Sequence, residues 1–228
     1  MHSPDFARLD PPQFESRDLR FLFEHFPVPG IDPDEAARQV IAQPSTLESL
    51  LESRYVLDAM LDRRAAWIDI SPRLMFNVLL RHALGRERAP GERRTIHYLA
   101  NLLALFTRTE RLHRVQDGDA EDYEYLADLV QRAADAGHAQ RFLVLSHIGN
   151  YALFLAGVCA PWIEYRHRYR NRPLKLDYYC NMSRCHFASA AKHELADTYG
   201  LTPVFTQLAA RFDYYRGGLE RMAQAHLH

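Results

Sequence analysis

The sequence predicts an all-α protein: a single helical domain of about nine or ten helices around one buried central helix. Three observations lead there. Phe142 to Ile163 carries no charged residue across 22 positions, in a chain whose residues are 25% charged. Such a gap marks the stretch most excluded from water. Strand signals are scarce, without sustained alternation or an Asn-Gly hairpin turn. Helix start and stop residues, by contrast, recur along the whole chain.

A first helix is expected from about Pro12 to Phe26, closed by PVPG. Asp32-Pro33 opens a second, which Pro44 stops after Gln43. Ser45 to Glu48 has the form of a capping box, and its helix is expected to continue to about Arg64. Leu47, Leu50, Leu51, Leu57 and Leu61 would share one face, with Arg54 and Asp58 paired in the middle of it. Ser71-Pro72 opens the next helix, and Gly85 ends it. The charged stretch GRERAPGERR supplies the candidate subdomain break, near 86–94.

Thr95 to about Val115 reads as a largely buried helix, with Tyr98, Leu99, Leu102, Leu103, Leu105 and Phe106 around most of its circumference. Ala120 to Ala136 is amphipathic and ends at Gly137. The uncharged run follows, with Phe142 to Ala160 as the central helix. Pro173 to Tyr199 forms a long helix closed by Gly200, whose alanines favour close helix contact, and Pro203 to about Ala225 is the last.

Composition bounds the function. The net charge is −1, so no global field draws the chain to nucleic acid or anionic lipid, and any such binding would be local. The bases comprise 26 Arg and only Lys175 and Lys192, a bias spread evenly enough to reflect base composition. Three cysteines, Cys159, Cys180 and Cys185, form no C-x-x-C pair and fit a reducing, cytoplasmic setting. The first residues lack an apolar signal segment. The uncharged run is long enough to span a bilayer, but His147, Asn150 and Pro161 oppose insertion, so no membrane is expected. Walker, G-x-G-x-x-G, H-E-x-x-H and EF-hand motifs are all absent.

Two features mark the candidate site. Ser146, His147 and Asn150 form a polar knot inside the most apolar element, where each must find a partner. Directly after that element come Tyr165, Arg166, Arg168, Tyr169, Arg170 and Arg172, then Tyr178, Tyr179 and Arg184. Guanidiniums among flat aromatic rings suit an anionic small molecule or an acidic protein surface. His147 followed by Ala152 five positions on lacks the carboxylate of an H-x-x-x-x-D/E acyltransferase motif, which excludes that chemistry.

The favoured function is therefore a non-catalytic ligand- or partner-binding protein, homo-oligomeric, with an Arg/Tyr anion patch and no cofactor or metal. One alternative is a metal-dependent helical-bundle enzyme using Glu110/His113 and Glu164/His167, two E-x-x-H pairs that each share a helix face. Arginines beside both pairs oppose a cation there. The other alternative is a nucleic-acid binder that stacks bases on the tyrosines.

Overall fold

The computed structural model describes residues 4–7, 14–24, 43–62, 70–85, 91–117, 119, 121–123, 125–170 and 173–227. These residues are all-helical, with no strand among them. A 3-10 turn (Asp5–Ala7) precedes α1 (Ser16–Glu24), α2 (Pro44–Leu51), α3 (Arg54–Leu61), α4 (Pro72–Leu84), α5 (Glu92–Phe106) and α6 (Glu110–His113). There follow α7 (Leu126–Asp135), α8 (His138–Gly157), α9 (Ala160–Tyr169), α10 (Leu176–Ala191), α11 (Glu194–Thr198), α12 (Thr202–Ala210) and α13 (Phe212–His226). Residues 32–42 of the helix expected from Asp32 to Gln43 lie outside the described residues, as do 86–90 of the charged connection.

Thirteen α-helices are found among the described residues, more than the nine or ten expected, because long predicted helices break. Ser53 divides α2 from α3, and Thr107 to Thr109 divide α5 from α6. Thr107 Oγ1 bonds back to the Ala104 carbonyl at 2.7 Å, satisfying a C-terminal acceptor of α5. His193 ends the long helix early and caps α11, accepting from the Leu195 N–H at 3.2 Å. Arg211 breaks the last helix, and its guanidinium meets the buried Glu92 carboxylate at 3.1 Å.

The break at Ser53 also corrects the placement of Arg54 and Asp58. They do pair, at 2.9 Å, but their side chains are 76% and 58% exposed. A new helix start resets the angular phase, so they face water while Val56 and Leu57 face the core. The capping box does not form either. The N-cap of α2 is Gln43, and Glu48 reaches away from the helix start altogether. It grips Arg81 on α4 with two contacts of 2.9 Å and meets His97 Nε2 on α5 at 3.0 Å. Arg81 is fully buried and also donates to the Asn77 carbonyl and side chain, at 3.0 and 2.8 Å. The fully buried Asp18 carboxylate accepts from the Ser71 N–H and hydroxyl at 2.6 and 2.7 Å, which ties α1 to the start of α4. Ser71 is the N-cap expected, accepting from Leu74 N–H, and Gly85 ends α4 at φ 80.

Helices α4 and α5 pack together, α8 packs on α10, and α10 on α12; α7 and α13 also lie against α8. From Phe142 onward α8 carries no charge, and this has a direct cause. Phe142, Leu153 and Ala156 enter the larger apolar core with α5, α10, α12 and α13. Val144, Ile148, Tyr151, Ala152 and Leu155 enter a second cluster with Leu126, Leu129 and Ala133 of α7. A helix buried on opposite faces must be apolar all round. Two glycines let its neighbours close in. A Cβ on Gly149 would stand 2.9 Å from the Phe187 ring of α10, and one on Gly157 would stand 2.7 Å from Leu219 Cβ of α13.

Candidate ligand-binding site

The end of α8 sets up the site. Its helix stops at Val158–Cys159, and Pro161 falls in the first turn of α9, where proline is tolerated. The chain bends there by 76°. Helix α9 therefore leaves α8 at a steep angle, and a wedge opens between them. The start of α7 and the segment leading into α10 wall the wedge on its other sides.

The result is a cavity of about 430 Å³. Five aromatic rings line it: Tyr125, Tyr151, Trp162, Tyr178 and Tyr179. Leu126, Leu155, Ile163 and Leu174 add aliphatic wall, and the charged groups are Arg166 and Asp128. The lining is mostly apolar with a few polar groups, a composition common among small-molecule pockets. Arg166 lies one turn after Trp162, and its guanidinium carbon sits 4.3 Å from the centre of the indole ring. That stacking holds the cation in place along the wall. Burial raises the pKa of the Tyr179 hydroxyl, and the Arg166 charge works against the rise. Tyr179 is thus a neutral phenol near neutral pH, able to donate one hydrogen bond.

The polar knot is real but does not act as one group. Ser146 Oγ donates to the Phe142 carbonyl at 2.9 Å. Asn150 Oδ1 accepts from the Tyr98 hydroxyl at 2.6 Å, fixing α8 to α5. His147 is 3% exposed, and its Nε2 has no hydrogen-bond partner among the described residues. Burial, then the charges of Arg111 and His113, push its pKa down to about 3, against a hydrogen bond with the Leu112 backbone. None of the three lines the cavity. Tyr151 connects them to it, since its ring forms part of the cavity wall and stacks on His147 at 6.2 Å with a 16° tilt.

The Arg/Tyr stretch is distributed rather than gathered. Arg166, Tyr178 and Tyr179 meet at the cavity. Arg168 faces a shallow recess with Glu164, His167, Lys175 and Asp177. Arg184 sits in a third recess, where it pairs with Asp213 at 3.2 Å and lies 5.1 Å from the Phe212 ring centre. The Tyr165 and Tyr169 rings meet at a tilt, 5.1 Å between centres, on the exposed face of α9, and Arg170 is exposed at its end. Arg172 lies outside the described residues.

Sequence patterns alone miss Tyr125, Asp128, Trp162, Leu155 and Ile163. Trp162 and Ile163 sit at the boundary between the uncharged run and the cationic stretch, which is itself a signal of a change in environment. Tyr125 and Asp128 come from another helix and carry none. For the metal alternative, Glu110 is exposed, and no three His, Cys, Asp or Glu side chains converge on a metal-sized space among the described residues. No family model matches the chain, and neither a curated protein nor a solved structure is significantly similar to it.

Proposed function

We propose that this protein is a non-catalytic binder of a small, largely apolar or aromatic molecule that carries one anionic group. The observation that carries this is the aromatic cavity with Arg166 set in its wall. The apolar part of such a ligand would replace water against the rings, and burial of apolar surface drives binding of this kind. The anionic group would pair with Arg166, and a neutral Tyr179 hydroxyl could add a hydrogen bond. Within this proposal the rest of the chain is one helical domain with α8 at its centre, and α8 supplies the rigid wall. Free cysteines support a reducing, cytoplasmic setting. No single helix among the described residues is long and apolar enough to cross a membrane.

Titration with anilinonaphthalene sulfonate, followed through its own emission and, in a Trp67→Phe background, through Trp162, tests the proposal. Binding near one probe per chain is expected. Arg166→Ala should weaken it about tenfold, the loss of one stacked charge contact. Ala127→Trp, at an exposed wall position on α7, should obstruct the cavity and abolish binding without disturbing the core. Unchanged probe binding in both variants would rule the cavity out.

A further inference from the structure

We infer that the rim of this cavity is a docking surface for a membrane carrying anionic phospholipid. The inference goes beyond ligand binding and does not require the cavity to be filled. Among the described residues, Tyr125, Trp162, Tyr165, Tyr169 and Leu174 are among the few large apolar side chains that stand in water, at 61, 51, 51, 65 and 40% exposure. All five lie on the rim of the cavity or on the outer face of α9, which borders it. Isolated exposed apolar residues are ordinary, but a contiguous group of them marks a contact surface. Tryptophan and tyrosine are the residues that favour a membrane–water interface, where the ring meets acyl chains and the polar tip meets headgroups.

Charge selects the partner. Within residues 160–177 the described cations are Arg166, Arg168, Arg170 and Lys175, against Glu164 and Asp177, in a chain of net charge −1. Asp128 at the rim is a further opposing charge. The local balance is positive, and a positive aromatic surface complements phospholipid phosphate. A second copy of the chain fits less well, because a two-fold contact would set these cations against themselves. Nucleic acid also fits less well. The Tyr165 and Tyr169 rings are already paired with each other, and aliphatic Leu174 and an apolar cavity offer nothing to a phosphate backbone.

The test is cosedimentation of the full chain with vesicles of phosphatidylglycerol in phosphatidylcholine, and with phosphatidylcholine alone. Binding to the anionic vesicles only, weakened by salt, is expected. Tyr165→Ala/Tyr169→Ala and Arg168→Glu/Arg170→Glu, at positions outside the cavity wall, should each weaken it by roughly tenfold or more. Circular dichroism and probe binding should be unchanged in both, so failure of docking and failure of the cavity proposal are separable. No vesicle binding, or binding that ignores both variants, overturns the inference. So does binding of single-stranded RNA lost in the same variants, which would assign the face to nucleic acid. Self-association of the wild type abolished by Tyr165→Ala/Tyr169→Ala would overturn it too, by assigning the face to a second copy.

Discussion

Two ion pairs in this protein have the same short contact and opposite surroundings, which makes their energies predictable by contrast. Arg54–Asp58 and Arg81–Glu48 both meet at 2.9 Å. The first is exposed on both sides, where a pair contributes about 0–1 kcal/mol. In the second, Arg81 has 0% and Glu48 15% exposure. Glu48→Ala would leave a buried guanidinium beside Asn77 and His97 with its carboxylate gone. Removing one partner of a buried pair destabilises by about 3–5 kcal/mol. At roughly 2–4 °C per kcal/mol for a chain of this size, the melting temperature should fall by about 6–20 °C. Glu48→Ala/Arg81→Met, which removes both charges, should recover much of that loss. Urea unfolding of the single and double variants, with Arg54→Ala as control, gives the comparison. If Glu48→Ala loses no more than Arg54→Ala, or the double variant is no better than the single, the network is not a buried ion pair in any energetic sense. The acid limb provides an independent check. Burial raises the Glu48 pKa, but the His97 hydrogen bond and the Arg81 charge outweigh it and hold the carboxyl below its ordinary value. Its stabilisation is therefore present above the unfolded-state pKa and lost as pH falls through the lowered one, and Glu48→Gln should flatten that part of the curve.

Three further outcomes are expected. Leu153→Asp, at a fully buried position of α8, should lower stability by several kcal/mol, and a preserved melting temperature would show that α8 is not core. Gly149→Ala drives a methyl against the Phe187 ring and should lose about 1–3 kcal/mol in denaturant unfolding, with Gly149→Ala/Phe187→Leu regaining part of it. His147 is held neutral, with its pKa pushed down to about 3, so the unfolded chain binds an extra proton below the ordinary histidine value. Stability should decline as pH falls from about 6.5 toward 3 through this group, and His147→Gln should remove its share of the slope.

The helical class and the burial of Phe142 to Ala160, among the most buried stretches described, were legible because both follow from local pattern. In a chain this rich in charge, a charge-free stretch as long as 142–163 belongs out of water. The α2–α3 break was not legible, since Ser53 interrupts an apolar periodicity that reads as continuous. Glu48 shows the same limit at the level of one side chain. Its spacing from Ser45 satisfies a local capping rule, yet Arg81 on α4 and His97 on α5 offer it stronger hydrogen bonds, and tertiary contact prevails. The candidate site was legible by half. The Arg/Tyr stretch contributes Arg166, Tyr178 and Tyr179 to the cavity, but which of its arginines turn inward depends on the bend at Cys159. Arg184 is claimed by Asp213, 29 positions away, a pairing that no sequence window contains.

The bend between α8 and α9 also divides the chain by how freely it can vary. Before it, Ser146 to Ala156 sits with almost every side chain enclosed, and Gly149 admits no larger residue without movement of a ring. Beyond it, only Ala160 and Ile163 of α9 are buried. A saturation library across 140–170 should therefore show intolerance that stops abruptly near Cys159. Within one continuous stretch of backbone, the enclosed part cannot drift, while the exposed part can be rewritten almost without consequence for folding.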